Sequence, residues 1–391
     1  MGDWRKVLHH FVDDVETEFD RLKYSLKQRL GGFDPIKIVP YTGYGNRTRV
    51  FLQGRVLEDQ DIPRATDNDT LWENLLNTYK RMESDEIPLA RLVARSEGVA
   101  KEIQADEEGQ FEVWLEFDDP LPEDRRWQPV NYELLSPESP KQKETVRAEG
   151  RAFIPPSDAD YGVISDIDDT VIEMNVGDLL RAARTVFLGN ARTRLPFPGV
   201  AALYRAFHAG SEERVKQNPL FYVSSSPWNL YDLLVDFFRL HDIPNGPVLA
   251  LRNYGITEDE ILPLNNRPYK TEAVRRILDL YPDLRFILIG DSSQEDPEIY
   301  TDIVDLYPDR ILAVYIRDVT KEAKRSASIE TLRREVVEAG SMLRLADNSL
   351  AIAEHALEQG WISPDSMPDI EGEKARDEGV PEGLEQWLDQ E

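Results

Sequence analysis

Ten residues, Tyr161-Gly-Val-Ile-Ser-Asp-Ile-Asp-Asp-Thr170, constrain this chain more than any other stretch. The apolar run from Tyr161 to Ile164 has the length of a buried strand. It leads straight into the carboxylates of Asp166, Asp168 and Asp169. A strand that ends in clustered carboxylates brings like charges to one sheet edge, and a divalent cation offsets that repulsion. Ligands bind off the carboxyl ends of strands in open α/β sheets, so the stretch points to chemistry. An acidic loop that caps a helix is the plainer alternative.

From residue 158 onward apolar strands alternate with helical patterns, the signature of an α/β domain. Strands are expected at Gly162–Ser165, Leu220–Ser224, Val248–Leu251, Arg285–Ile289, Arg310–Tyr315 and Met342–Leu345. Helices are expected at Gly177–Leu188, Gly199–His208, Asn229–His241, Lys270–Tyr281, Tyr300–Leu306, Ile329–Ala339 and Ser349–Gln359, the last capped by Asp347. Ahead of this domain, residues 33–155 carry period-two strands between turn signals such as Tyr44-Gly45-Asn46, which suggests a small antiparallel β domain, sandwich-like or barrel-like. One helix, Leu71–Met82, interrupts it, with Thr70 and Glu73 as a capping box. Residues 3–30 form one apolar stripe from Leu8 to Leu30, stopped by Gly31 and Gly32. Its polar face mixes both charges, which fits packing on a domain better than lying on a lipid surface. The expected units are thus a helix over 1–32, a β domain over 33–155, an α/β domain over 158–362 and an acidic, mobile tail over 363–391 with a short helix at Gly383–Leu388.

Composition narrows the function. The 391 residues contain no cysteine, which excludes disulfides, thiolate metal sites and a thiol nucleophile, and fits a cytoplasmic location. No apolar run approaches a membrane span, leaving at most peripheral membrane contact. The formal charge of −28 disfavours broad contact with nucleic acid or an anionic bilayer.

Three further stretches carry chemistry-bearing residues. The strand Phe221-Tyr222-Val223 runs into Ser224-Ser225-Ser226, where hydroxyls and free N–H groups can hold phosphate oxygens or simply cap a helix. Lys270 opens a helix, against the helix dipole, which hints at neutralising an anion, although a plain surface lysine is the commoner case. The strand Phe286–Ile289 runs into Gly290 and Asp291, with Asp296 five positions on, and hard oxygens at strand tips suit magnesium.

In this order the stretches resemble the haloacid-dehalogenase-type phosphotransferases, with Asp166 to Thr170, Ser224, Lys270, and Gly290-Asp291 with Asp296 standing at the four motifs. The wording Ser-Asp-Ile-Asp-Asp-Thr-Val, Asn190-Ala-Arg-Thr-Arg194 with Leu-Pro-Phe-Pro-Gly, Ser-Ser-Pro-Trp-Asn and Gly-Asp-Ser-x-x-x-Asp-Pro-Glu-Ile-Tyr is closer still to the actin-patch phosphatidate phosphatase catalytic-domain family and its bacterial relatives. The resemblance implies a three-layer, doubly wound, mostly parallel sheet and a Mg2+-dependent phosphatase. It implies Asp166 as nucleophile, Asp168 as general acid and base, and Ser224 and Lys270 on the phosphoryl group. Magnesium would be held by Asp166, the Asp168 carbonyl and Asp291, with Thr170 and Asp296 in supporting positions, and Asp169 steadying the loop.

Substrate recognition is more open. The short insertion over 171–219 leaves an accessible site, suited to a bulky or membrane-borne phosphomonoester. Arg192 and Arg194 either bind substrate phosphate or pair with surface acids; Arg317 has the same two readings and leans structural. Trp228 lines the mouth or belongs to the core. Phosphatidate, converted to diacylglycerol, is the leading substrate through the resemblance. A soluble phosphomonoester is the alternative, and a non-catalytic scaffold is a third reading.

Overall fold

The structure, a computed structural model, describes residues 35–59, 86–142, 144–172, 196–211, 216–226, 228–251 and 267–378. The helices expected at 3–30, 71–82, 177–188 and 383–388 lie outside these residues, as do Arg192 and Arg194.

Among the described residues, eight strands build the first unit: β1 (Ile36–Pro40), β2 (Gly43–Gly45), β3 (Arg49–Glu58), β4 (Arg91–Ser96), β5 (Val99–Gln104), β6 (Gln110–Glu116), β7 (Trp127–Ser136) and β8 (Arg147–Phe153). In β6, Phe111, Val113 and Leu115 turn inward while Glu112 and Glu116 face solvent, the alternation of a one-sided strand. Of the two arrangements the sequence suggested, sandwich-like or barrel-like, the strands form one sheet, ordered β1-β3-β2-β8-β7-β4-β5 with β6 on β3. Pairing is antiparallel except between β2 and β8. Lys101 in β5 donates to the Trp114 carbonyl in β6 at 3.0 Å, so the sheet curls back on itself.

The second unit is, among the described residues, a six-stranded sheet of β9 (Gly162–Asp166), β10 (Leu220–Val223), β11 (Val248–Leu249), β12 (Phe286–Asp291), β13 (Ile311–Arg317) and β14 (Leu343–Ala346). Every pair is parallel, in the order β11-β10-β9-β12-β13-β14. The buried runs of β9, β10 and β12 are those of strands covered on both faces. One face packs on α1 (Val200–Ala209), α2 (Tyr231–Leu240), α6 (Ser349–Glu358) and α7 (Met367–Glu378). The other packs on α3 (Arg267–Leu280), α4 (Asp296–Leu306) and α5 (Ala323–Glu338). The chain winds outward one way from β9 through β10 and β11, then the other way through β12 to β14. That reversal falls between β9 and β12, and the carboxyl ends of strands at such a point are where sheets of this kind bind ligands.

Several expectations change, and α5 begins at Ala323 rather than Ile329. Helix α4 begins at Asp296 rather than Tyr300, because Pro297 is tolerated in a first turn and Asp296 and Glu298 complement the dipole. Asn348, not Asp347, caps α6 by accepting from the Ala351 N–H at 3.1 Å. Residues 367–378, expected in a mobile tail, form α7, with Ile370 fully buried. Its acids satisfy the open end of α1: Asp377 accepts from the Gly199 N–H at 2.9 Å and Glu373 from the Ala202 N–H at 2.8 Å.

The two units share a core. Tyr44 and Phe51 of the β domain pack with Phe221, Tyr281 and Phe286 of the α/β domain. Tyr281 donates to the Gly45 carbonyl at 2.9 Å, and Gln53 donates to the Val248 carbonyl of edge strand β11 at 2.8 Å. Tyr231 stacks on Tyr41, ring centroids 4.1 Å apart, and its hydroxyl accepts from the Thr42 N–H at 2.6 Å.

Candidate active site

Asp166 closes β9 and Asp291 closes β12, so adjacent parallel strands deliver both carboxylates to one end of the sheet. Both are fully buried. Gly290 precedes Asp291 because a Cβ there would stand 2.6 Å from the Asp296 carboxylate. Asp296 in turn accepts from the Asp291 N–H at 3.2 Å.

Lys270, in the first turn of α3, answers these charges. Its Nζ donates to Asp166 Oδ1 at 2.6 Å and to Asp296 Oδ1 at 2.8 Å, with only 3% of the side chain exposed. Burial alone would lower its pKa, but Asp166 and Asp296 more than offset that and hold it above the usual lysine range. Gln294 adds weak contacts at 3.4 Å to Lys270 and to the Asp168 carbonyl.

The carboxylates of Asp166, Asp291 and Asp296 offer oxygens within 4.8 Å of one another. Three carboxylates against one ammonium leave two charges uncompensated. Burial therefore pushes Asp166 well above the usual carboxylate range, only partly relieved by Lys270, and pushes Asp291 up to about 7. Asp291 Oδ1 accepts from Ser293 and from the Gln294 N–H, while Asp291 Oδ2 and Asp166 Oδ2 are buried with no hydrogen-bond partner. Two orphaned anionic oxygens in an all-oxygen site fit a hard divalent cation.

Asp168 faces the other way. Its carboxylate accepts from Ser224 Oγ at 2.9 Å and from Ser226 Oγ at 2.9 and 3.1 Å. Ser226 was not singled out in the sequence, where three serines in a turn look alike. Asp169 adopts a left-handed backbone, φ 58°, and its carboxylate accepts from Ser293 Oγ at 3.4 Å, which ties the first turn to the Asp291 loop. The Thr170 hydroxyl, expected to orient that turn, is buried without a hydrogen-bond partner; backbone bonds to the Ile167 carbonyl hold the turn instead.

Trp228 and Arg317, each with two readings in the sequence, lie in structural places. Trp228 is 5% exposed, with the Arg55 guanidinium of the β domain stacked on its ring, so it joins the two units rather than lining an open mouth. Arg317 is buried, stacks on Phe197 at 4.3 Å and donates to Ser349 Oγ at 3.1 Å.

A parallel α/β domain with acids and a lysine gathered at adjacent strand tips is of a class suited to handling phosphate groups, and comparison with known proteins narrows it. Residues 161–318 match the family described as phosphatidate phosphatase APP1, catalytic domain. Phosphatidate phosphatase APP1 of Saccharomyces cerevisiae is 34% identical over 157 residues, 40% of this chain. An uncharacterized protein of Schizosaccharomyces pombe is 30% identical over 162 residues, 41% of this chain. The likeness to APP1 thus falls within the α/β domain. The matched stretch spans 25% of the length of either fungal relative. Among solved structures, the PilB minor pilin of Streptococcus sanguinis aligns over 90% of this chain and 97% of its own, at 9% identity and a TM-score of 0.25, too low to bear on the fold.

Proposed function

We propose that the α/β domain is a Mg2+-dependent phosphatase that works through an aspartyl-phosphate on Asp166, on a haloacid-dehalogenase-like three-layer fold, with phosphatidate as substrate. The observation that carries the chemistry is the pair of unpartnered buried oxygens, Asp166 Oδ2 and Asp291 Oδ2, beside a lysine that neutralises the other oxygen of Asp166. Asp166, Asp291 and the Asp168 carbonyl would hold the cation. When bound, it offsets the negative charge between nucleophile and phosphate.

The chain's own groups do the rest. An Asp166 oxygen attacks phosphorus as the ester P–O bond breaks, and the departing oxygen takes its proton from the Asp168 carboxyl. Asp168 then takes a proton from a water that attacks the phosphoryl group, which releases phosphate and restores Asp166. Ser224, Ser226 and Lys270 donate to the phosphoryl oxygens, where charge builds in the transition state. The serine hydroxyls now on Asp168 are therefore the donors that an incoming phosphate takes over.

The phosphatidate assignment rests on the APP1 likeness. Among the described residues no helix is long and apolar enough to cross a membrane. A formal charge of −28 opposes approach to an anionic bilayer, which keeps a soluble phosphomonoester as the second reading. The test measures phosphate release from phosphatidate vesicles and a soluble phosphomonoester panel, with Asp166→Asn as blank. Turnover confined to vesicles supports phosphatidate; turnover confined to soluble esters overturns it. No Asp166-dependent release from either leaves the scaffold reading.

A further inference from the structure

Helix α5 supplies a side chain that belongs to none of the motif stretches. Arg325 reaches the loop after β12, where its Nε donates to the Ser292 carbonyl at 2.7 Å and a terminal nitrogen donates to the Gln294 carbonyl at 2.6 Å. The same guanidinium grips both carboxylate oxygens of Glu298 in α4, one of them at 3.0 Å. Only 21% of the Arg325 side chain and 26% of the Glu298 side chain are exposed. A planar fork held on a carboxylate presents its remaining N–H groups in a set direction, which a lysine cannot do.

That direction matters through the peptide plane. The Ser292 carbonyl and the Ser293 N–H are two ends of one planar trans peptide. Pinning the oxygen therefore aims the N–H, and that N–H donates to Asp291 Oδ1. The next amide, of Gln294, reaches the same oxygen at 3.1 Å. With Oδ1 engaged by these donors, Oδ2 is the buried oxygen left without one, on a carboxylate that clusters with those of Asp166 and Asp296. Ser292 Oγ separately accepts from the Val319 N–H at 3.0 Å, which ties the loop to the β13–α5 connection but does not set the Ser293 amide.

We propose that Arg325, oriented by Glu298, is a positioning residue for the cation site: it fixes the Ser292–Ser293 peptide plane, and with it the Ser293 N–H, so that Asp291 presents Oδ2 to a divalent cation. This inference rests on the reading of Asp291 as a cation ligand.

The test is Mg2+ titration of the full, substrate-free chain by calorimetry, alongside the Mg2+ dependence of phosphate release. Parent protein binds Mg2+, and Asp291→Asn does not. Arg325→Gln binds about 10-fold more weakly, in the range found when a group behind a metal ligand is lost. Its kcat at saturating Mg2+ stays within about threefold of the parent, because nothing that touches the substrate has changed. Arg325→Lys and Glu298→Gln, each removing one feature of the fork, shift Mg2+ affinity in the same direction by less. They carry the test if Arg325→Gln shows no cooperative melt. Unchanged Mg2+ affinity in a folded Arg325→Gln overturns the proposal, as does a kcat loss that saturating Mg2+ cannot restore. If the parent binds no Mg2+ and Asp291→Asn remains an active phosphatase, the cation reading itself falls and this inference with it.

Discussion

The two loops that meet over Asp166 are held in different ways. The loop after β10, with Ser224 and Ser226, is braced from another unit: Trp228 lies under Arg55 of β3, and the helix that follows is stacked through Tyr231 on Tyr41. The loop after β12, with Asp291 and Asp296, is braced inside the α/β domain, by its own amides and by Arg325 from α5. The first brace is aromatic with a buried cation, and burial pushes the Arg55 pKa down to about 10. The second is a fork of charge-assisted hydrogen bonds. Neither Arg55 nor Arg325 falls within residues 161–318, the stretch that matches the family. On the proposed reading the reacting groups lie within the matched stretch and the groups that aim them lie outside it, so a domain cut to that stretch should keep the reactive side chains and lose their alignment.

The largest expected effect removes the point that both loops serve. Asp166→Asn lowers phosphate release by more than about a thousandfold, as loss of a covalent nucleophile does. Thermal melts should remain cooperative, because one of several crowded buried charges has gone. Retained turnover would show that neither loop addresses the reaction.

Next in size is the shared core. Phe51→Ala, at a residue 2% exposed, costs about 3–5 kcal/mol in chemical denaturation. A value below 1 kcal/mol would mean that the β domain merely rests against its neighbour.

Arg55→Leu separates the two braces. An apolar replacement of a buried charge is commonly tolerated by the fold, so the effect to read is alignment. We expect kcat to fall about tenfold through misplacement of the Ser224 loop, with Mg2+ affinity unchanged, the reverse of the Arg325→Gln pattern. If both variants alter Mg2+ affinity equally, the loops are not independently held.

The smallest effect is a pH dependence of cation binding, read through Asp291. Burial raises Asp291 to about 7, so below that pH the carboxyl keeps a proton that Mg2+ must displace. Mg2+ affinity should therefore tighten several-fold from pH 6 to pH 8 and then level off. A raised carboxyl pKa also means that this group's contribution to stability is present at low pH and is lost as pH rises through about 7. Without cation the melting temperature should thus fall across that interval, and Mg2+ should recover most of the loss. A flat calorimetric profile from pH 6 to 8 would remove Asp291 from the site.

Much of this was legible in local pattern. The buried strands β9, β10 and β12 are apolar runs with chemistry-bearing residues at their ends, so Asp166, Ser224 and Asp291 could be placed at strand tips from periodicity alone. Lys270 stood out because a cation in a first helical turn runs against the dipole. Ser226, Gln294 and Arg325 did not, because each works through a partner far along the chain or a rotamer that no spacing encodes. The acids of α7 looked like solvated tail because their use, closing the N-terminus of α1 from 171 to 178 positions away, depends on two helices lying together.

What the sequence by itself determined is which backbone forms strand or helix and which reactive groups stand at the ends, since side-chain period and strand-ending residues are properties of neighbours along the chain. The tertiary structure alone decided which of those ends meet, that Trp228 is covered rather than open, and which oxygen of Asp291 is left without a donor. Those outcomes turn on sheet order and on distances between groups remote in sequence, and the free energy of a buried charge is set by whatever surrounds it in space.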